Sequence, residues 1–453
     1  MCFCFIQISE RGVRVRRTLQ SIAALLPLFL ALEFFGTTST AVASGFAILE
    51  QSVRGLGSAF SNSAAADDAS TIFFNPAGLT RLSNNSAIAA GYYISPTALF
   101  QDRGSVVVTG APLTGGDGGD GGVDIFVPNF YAVWNASDRV KLGLGVNSPF
   151  GLKTRYDRDW VGRYYAINSE LVTININPTV AAKLTDNLSL GAGINLQYAE
   201  AKLSNAIDFG LIGATRLRTA PQATDGSVEL EGDDWSWGYN LGLLYEPNRK
   251  TRLGLAYRSA ITHDLAGEAD FNVPAAVSAL TATGRFQDGS IDAELNLPDT
   301  LSLNAYHQIS SRVALTGDVT WTNWSRFEEL RVTFDNPAEP DNVQPENWHD
   351  TVRYSLGINY TLSPVWELRA GVAYDPSPVD STYRSPRIPD NNRTWLAIGA
   401  SFKASDAISF DVGYAHLFVD DSQIDLSSST SGNLRGSIES DVDVVGLQLT
   451  WKF

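Results

Sequence analysis

The sequence predicts an all-β chain, a 14-stranded antiparallel transmembrane β-barrel with an N-terminal hatch plugging the lumen. Three observations predict it. Hydrophobicity alternates at period two through about fourteen segments, as it does in strands with two different faces. Short and long connections alternate strictly, as in outer-membrane barrels with short periplasmic turns and longer external loops. The last strand is amphipathic and stops on an aromatic residue, Phe453.

Composition narrows the field first. Of 453 residues, 44% are hydrophobic, and 22 Phe, 10 Trp and 16 Tyr exclude a disordered chain. Only one apolar run is long enough to suggest a helical span, which excludes a bundle of membrane helices. A net charge of −16 excludes nucleic acid as a partner, which would require a basic stripe.

Residues 1–43 read as a secretory signal. Arg11, Arg14, Arg16 and Arg17 precede a mostly apolar run at 22–35, and Ala41-Val42-Ala43 supplies an A-x-A cleavage pattern. Cleavage there removes Cys2 and Cys4, leaving no cysteine, disulfide or thiol nucleophile. An exported, cysteine-free chain fits a bacterial envelope.

Residues 44–85 do not alternate and are rich in small and polar side chains, so they have no place in a barrel wall. The lumen is their simplest home; a periplasmic tail is the alternative. The wall, 86–453, divides into segments 86–95, 123–134, 138–149, 169–184, 187–203, 229–246, 250–268, 292–308, 311–334, 348–361, 364–375, 393–403, 407–419 and 437–453. In 188–198, Leu188, Leu190, Ala192, Ile194, Leu196 and Tyr198 face one way, and Ser189, Gly191, Gly193, Asn195 and Gln197 the other. The long loops are 96–122, 150–168, 204–228, 269–291, 335–347, 376–392 and 420–436. Many segments exceed the ~9–11 residues that cross a bilayer, so the barrel should project beyond it. At the C-terminus, Val445, Leu447, Leu449, Trp451 and Phe453 share one face, resembling the assembly signal read by the barrel assembly machinery.

Ser44-Gly45-Phe46, Gly55-Leu56-Gly57-Ser58-Ala59, Ala66-Asp67-Asp68-Ala69 and Asn75-Pro76-Ala77 follow in order. Downstream come Asn147-Ser148-Pro149-Phe150-Gly151-Leu152, Trp237-Gly238-Tyr239-Asn240, Trp321-Thr322-Asn323-Trp324-Ser325 and Ile388-Pro389-Asp390. This series resembles the FadL-type outer-membrane transporters of long-chain fatty acids and other hydrophobic compounds, from Ser44 to Phe453. The resemblance implies a monomer in the outer membrane of a Gram-negative bacterium, among its lipid and lipopolysaccharide. It implies capture at an external apolar groove, an internal pocket near the mature N-terminus, a movable hatch, and lateral release at a kink in the third strand. Movement would be passive diffusion, with no cofactor and no metal. An aromatic-hydrocarbon channel of the same family is the alternative, and a general porin or a barrel-embedded hydrolase lies further off.

Candidate residues follow. Asn75, Pro76 and Ala77 form the hatch turn, since proline fixes φ and asparagine bonds nearby backbone. Pro149, Phe150 and Gly151 interrupt the third strand, because neither proline nor glycine suits a regular ladder. Phe209, Leu211 and Ile212 in one external loop, and Phe271, Val273, Val277, Leu280 and Phe286 in another, give an apolar surface suited to a groove, or else small loop cores packed on one another; both readings can hold together. Ser44 and Phe46 would line the pocket. Well-known fatty-acid members place basic residues after the fifth strand and before the tenth. Here the matching positions hold Asn205 and Gln344, with Lys202, Arg331 or Arg353 as nearby substitutes. The histidines His263, His307, His349 and His416 are scattered, with no H-E-x-x-H, G-x-S-x-G or P-loop, so no catalytic site is expected.

Overall fold

The computed structural model describes residues 45–453; the expected signal segment 1–43 and Ser44 lie outside them. Twenty strand segments build one antiparallel sheet that closes into a barrel of fourteen staves. Closure comes from the first stave, Ser86–Asp102, pairing along its full length with the last, Gly432–Lys452. Eight staves are single segments. Six are broken once, at 148–150, 259–260, 298–299, 323–328, 346–350 and 420–421.

Alternation explains the wall. Leu190, Ile194 and Leu196 are exposed on the outer face, while Ser189, Asn195 and Gln197 are buried. Leu356 and Ile358 likewise face out, and Arg353 and Ser355 face in. The outward C-terminal series ends with Trp451 and Phe453, whose rings lie 4.8 Å apart. An apolar exterior around a polar lumen is what a lipid-embedded barrel requires, because every backbone group is then paired and only side chains meet lipid.

Six expected loops are shorter than the sequence suggested, with strand entering 96–122, 150–168, 204–228, 269–291, 335–347 and 420–436. The fifth and sixth staves, Leu188–Asp208 and Asp225–Asn248, run into both ends of 204–228 and pair up to Asp208↔Asp225. Within 420–436, Ser422–Ser428 forms a hairpin with the final stave. Part of 269–291 is strand as well, extending to Asn272 and resuming at Gly289. The polar outer faces of these extensions hid them. Above the membrane a strand need not be apolar outside, so alternation fades while pairing continues.

Residues 45–85 pack against inward-facing side chains from many staves. Asn129 Nδ2 donates to the Glu50 carbonyl, Asn240 Nδ2 to Ile72 and Arg353 Nη2 to Ala59. Gln448 Nε2 donates to Asp68, and Arg54 pairs with Asp67, Glu367 and Asp411. The wall supplies glycine where this segment approaches most closely. A Cβ on Gly399 would stand 2.8 Å from Gly57 Cα, and one on Gly371 would strike the Ser58 carbonyl. The short helices Val53–Leu56 and Thr71–Phe74 and the turn Pro76–Arg81 bury Leu56, Ile72 and Leu79 in a core shared with the wall.

Candidate ligand chamber and wall gap

The third stave is split into Val140–Asn147 and Gly151–Arg155. Its first half pairs with the second stave, from Phe130↔Val146 to Asn135↔Lys141. Its second half pairs only with the fourth, from Gly151↔Val172 to Arg155↔Asn168. Residues 125–129 of the second stave therefore hold the first stave but lack a ladder on their other side. Pro128, with no amide hydrogen, sits in this unpaired stretch, as proline does at sheet edges. The result is a gap in the wall, a cavity of about 540 Å³ lined by Phe126, Pro128, Phe130, Ser148, Leu152 and Ile174. A single bridge, Gly122↔Thr154, spans beyond it.

Pro149, Phe150 and Gly151 form the break, and the N-terminal segment is laid across it from inside. Ala47 bridges Phe150, with Ile48 N–H donating to the Pro149 carbonyl at 2.9 Å and Gly151 N–H to the Phe46 carbonyl at 3.0 Å. Thr173 anchors the far side, its hydroxyl accepting from Phe150 N–H and donating to the Phe150 carbonyl. Gly151 admits Ile48: a Cβ there would lie 2.6 Å from Ile48 Cδ1.

Phe46 is buried in a ring cluster. Its centroid lies 5.0 Å from Trp324, 5.4 Å from Trp348, 5.5 Å from Phe327 and 6.1 Å from Phe150. Gly45 makes the entry turn with φ +62, a left-handed conformation that favours glycine. Asp390 accepts from Gly45 N–H, and Arg393 donates to its carbonyl. Next to this cluster lies a cavity of about 110 Å³ whose lining includes Ile48, Phe60, Phe73, Phe74, Phe150 and Arg258. Ile48 lines both this chamber and the wall gap.

Asn75 caps the turn that begins at Pro76, its Oδ1 accepting from Ala77 N–H, while Nδ2 donates to the Leu243 carbonyl of the wall. Pro76 and Ala77 sit against Gly191 and Gly242, where no wall side chain intervenes.

The two positions matched to basic residues join a polar cluster, and its cation comes from elsewhere. Arg387, from the loop between the eleventh and twelfth staves, donates to Asn205 Oδ1 at 3.2 Å and to Ser169 Oγ at 3.0 Å. Gln344 donates to Glu346 at 2.7 Å, and Trp348 Nε1 donates to the other oxygen of Glu346. Burial pulls the Arg387 guanidinium down to about 10, against the opposing charge of Glu346. Lys202 and Arg331 do not substitute: they pair with Glu200 and Glu231, and with Glu329 and Asp341. Arg353 points inward and lines the chamber. Sequence position alone could not reveal Arg387, because it enters from a loop almost two hundred residues after Asn205.

Burial pushes the Glu346 carboxyl from 4.5 to about 8, with its Trp348 and Gln344 donors opposing. Between those values the folded chain keeps a proton that the unfolded chain has released, so stability falls as pH rises through that window. Glu346→Gln should remove this slope. Variant and wild type should unfold alike below the window, and the variant should survive to higher temperature above it. Thermal denaturation across pH measures this.

The expected external groove is closed. Phe209, Val277, Leu280 and Phe286 bury one another, with Phe209 and Phe286 centroids 5.0 Å apart, and Phe271 and Val273 pack at the edge. Leu211 and Ile212 are half-buried. Apolar side chains on neighbouring loops cover each other rather than face water, so this surface offers a compact core where a groove was expected.

Comparisons place this architecture. A family profile described as "Outer membrane protein transport protein (OMPP1/FadL/TodX)" matches residues 35–453. A putative outer membrane protein of Neisseria meningitidis serogroup B is 30% identical over 445 residues, covering 91% of this chain and 95% of the relative. The long-chain fatty acid transport protein of Escherichia coli O6:H1 is 30% identical over 403 residues, covering 84% of this chain and 88% of the relative. The crystal structure of a Pseudomonas aeruginosa FadL homologue superposes with a TM-score of 0.84 at 26% identity, covering 90% of this chain and 100% of that one. The chain belongs to the OMPP1/FadL/TodX family, outer-membrane β-barrels of Gram-negative bacteria that transport hydrophobic compounds.

Proposed function

We propose that this barrel carries long-chain fatty acids by passive diffusion, with residues 44–85 as its hatch. The observation that carries the reading is the adjacency of chamber and gap: one side chain, Ile48, stands between an interior lined by aromatic rings and an opening in the wall. A ligand enters from the external loops, displaces Phe46 from its rings, and rests in the chamber. Withdrawal of residues 46–48 from Pro149, Phe150 and Gly151 then joins chamber to gap, and the ligand leaves sideways into lipid. A lining that sets Phe60, Phe73, Phe74 and Phe150 beside polar side chains such as Arg258 and Arg353 suits an amphipathic ligand with a hydrocarbon tail. The relative named as a long-chain fatty acid transport protein supports the choice of cargo. The closed loop cluster of Phe209, Leu211, Ile212, Val277 and Leu280 serves as first contact only if it parts.

Uptake of labelled oleate and labelled toluene by cells with and without the gene tests the cargo. Gene-dependent oleate uptake is expected. Toluene uptake without oleate uptake would move the chain to an aromatic-hydrocarbon role, and entry of small hydrophilic solutes alone would make it a general porin.

A further inference from the structure

Arg258 is the cation in the chamber that other charges leave available. Its guanidinium lies over the Phe73 ring at 4.3 Å and donates to Asn195 Oδ1 at 2.6 Å and to the Phe73 carbonyl at 3.0 Å. Both acceptors are neutral oxygens, and among the described residues no ion pair includes Arg258. An arginine carries five N–H donors, so two bonds leave donors over for the cavity it lines. The other charged groups in that lining are committed. Asp318 accepts from Asn304 and Thr320, and Asp375 lies 3.8 Å from Arg353 and accepts from Trp395. Arg353 also donates to the Ala59 carbonyl.

A guanidinium held in place by neutral acceptors, with spare donors at a cavity whose other charged groups are committed, has the geometry of a carboxylate fork. Aromatic rings beside it, Phe73, Phe74 and Phe60, give the adjoining hydrocarbon a surface. We propose that Arg258 is the specificity-determining residue of the chamber, binding the acid head group of an anionic amphiphile while the tail lies along the Phe74 and Phe150 side toward the wall gap. This rests on the transport reading above and adds to it a head-group choice: acids over alcohols, esters and plain hydrocarbons of equal length. Arg258 is placed here by the strand Thr251–Arg258, which ends at this residue, so its side chain is fixed by the wall rather than by a loop.

The test compares palmitate with hexadecanol, which have the same chain length and differ in head group, on the purified full chain in nonionic detergent. A charge-assisted contact contributes about 1.5–3 kcal/mol, so wild type should prefer palmitate by about 10- to 100-fold. Arg258→Met should lose that preference while keeping the hexadecanol affinity; Arg258→Lys, a point charge without the fork, should keep part of it. Heat-modifiable migration on gels checks that each variant is folded, and Arg258→Lys carries the test if Arg258→Met is not. An unchanged preference in either folded variant overturns the proposal. Wild type binding both ligands equally, with oleate uptake intact, overturns the role of Arg258 alone; wild type binding neither ligand and taking up no oleate overturns the transport reading with it.

Discussion

A disulfide between positions 47 and 150 should stop transport. Ala47 and Phe150 face each other across an antiparallel bridge, and the flanking bonds run from Ile48 N–H to Pro149 and from Gly151 N–H to Phe46. That pattern makes them a non-hydrogen-bonded pair, whose Cα atoms lie about 4.5 Å apart, inside the roughly 4.4–6.8 Å range a disulfide spans. Residues 44–453 contain no cysteine, so Ala47→Cys with Phe150→Cys introduces one defined pair. Oxidised, the variant should take up oleate no faster than cells lacking the gene; a reductant should restore uptake. The reduced form controls for loss of the Phe150 ring. Equal uptake in both states would mean that the N-terminal segment stays on the kink and that cargo passes elsewhere.

The second large effect belongs to Phe46. Four rings surround it within 6.1 Å of its centroid. Removing such a buried ring costs about 3–5 kcal/mol where the site cannot collapse. The rings around it stand in three short stave breaks, at 148–150, 323–328 and 346–350, each held at both ends by strand, so little collapse is available. Phe46→Ala should therefore leave the barrel folded but weaken the hold on residues 45–50. Hydrogen exchange at Ile48 should quicken by at least about 100-fold, the equivalent of 3 kcal/mol, while wall amides keep their protection. An unchanged rate at Ile48 would assign the hold to the backbone bridge instead.

How much of this was written in the sequence depends on what set each feature. Alternation marked the wall inside the membrane because lipid on one side and a polar lumen on the other force opposite chemistry on successive residues. Beyond the membrane that contrast weakens, and the extensions of 188–208 and 225–248 and the hairpin at 422–428 were read as loop. The break at Pro149 to Gly151 was legible from residue type, since proline and glycine both disrupt a ladder. The size of the gap was not, because it depends on which stretch of the second stave loses its partner. Phe46 was expected near the pocket; that it fills a cage of rings from positions 150, 324, 327 and 348 is a fact of closure, not of local pattern. Asn205 and Gln344 were found by position, but Arg387, which brings the cation to that cluster, arrives from a distant loop, while Glu346 stands two residues from Gln344. Apolar loop residues such as Phe209 and Leu280 left a groove and small loop cores both open in the sequence, and the structure packs them on one another.

The glycines of the inner wall decide which part of the lumen can give way. At Gly399 against Gly57, Gly371 against Ser58 and Gly191 against Ala77, backbone meets backbone with no side chain between. Such contacts have no soft element: there is no rotamer to swing and no methylene to fold back, and a displacement opens a void at once. Residues 55–82 are therefore mounted like a door frame. The stretch at 46–51 rests instead on rings, one bridge, Gln51 and the bond from Asn129 to the Glu50 carbonyl, contacts of side chains rather than of backbone packed on glycine. On the proposed path the division of labour follows from these contacts: the glycine-backed stretch is the jamb, and residues 46–51 are the leaf.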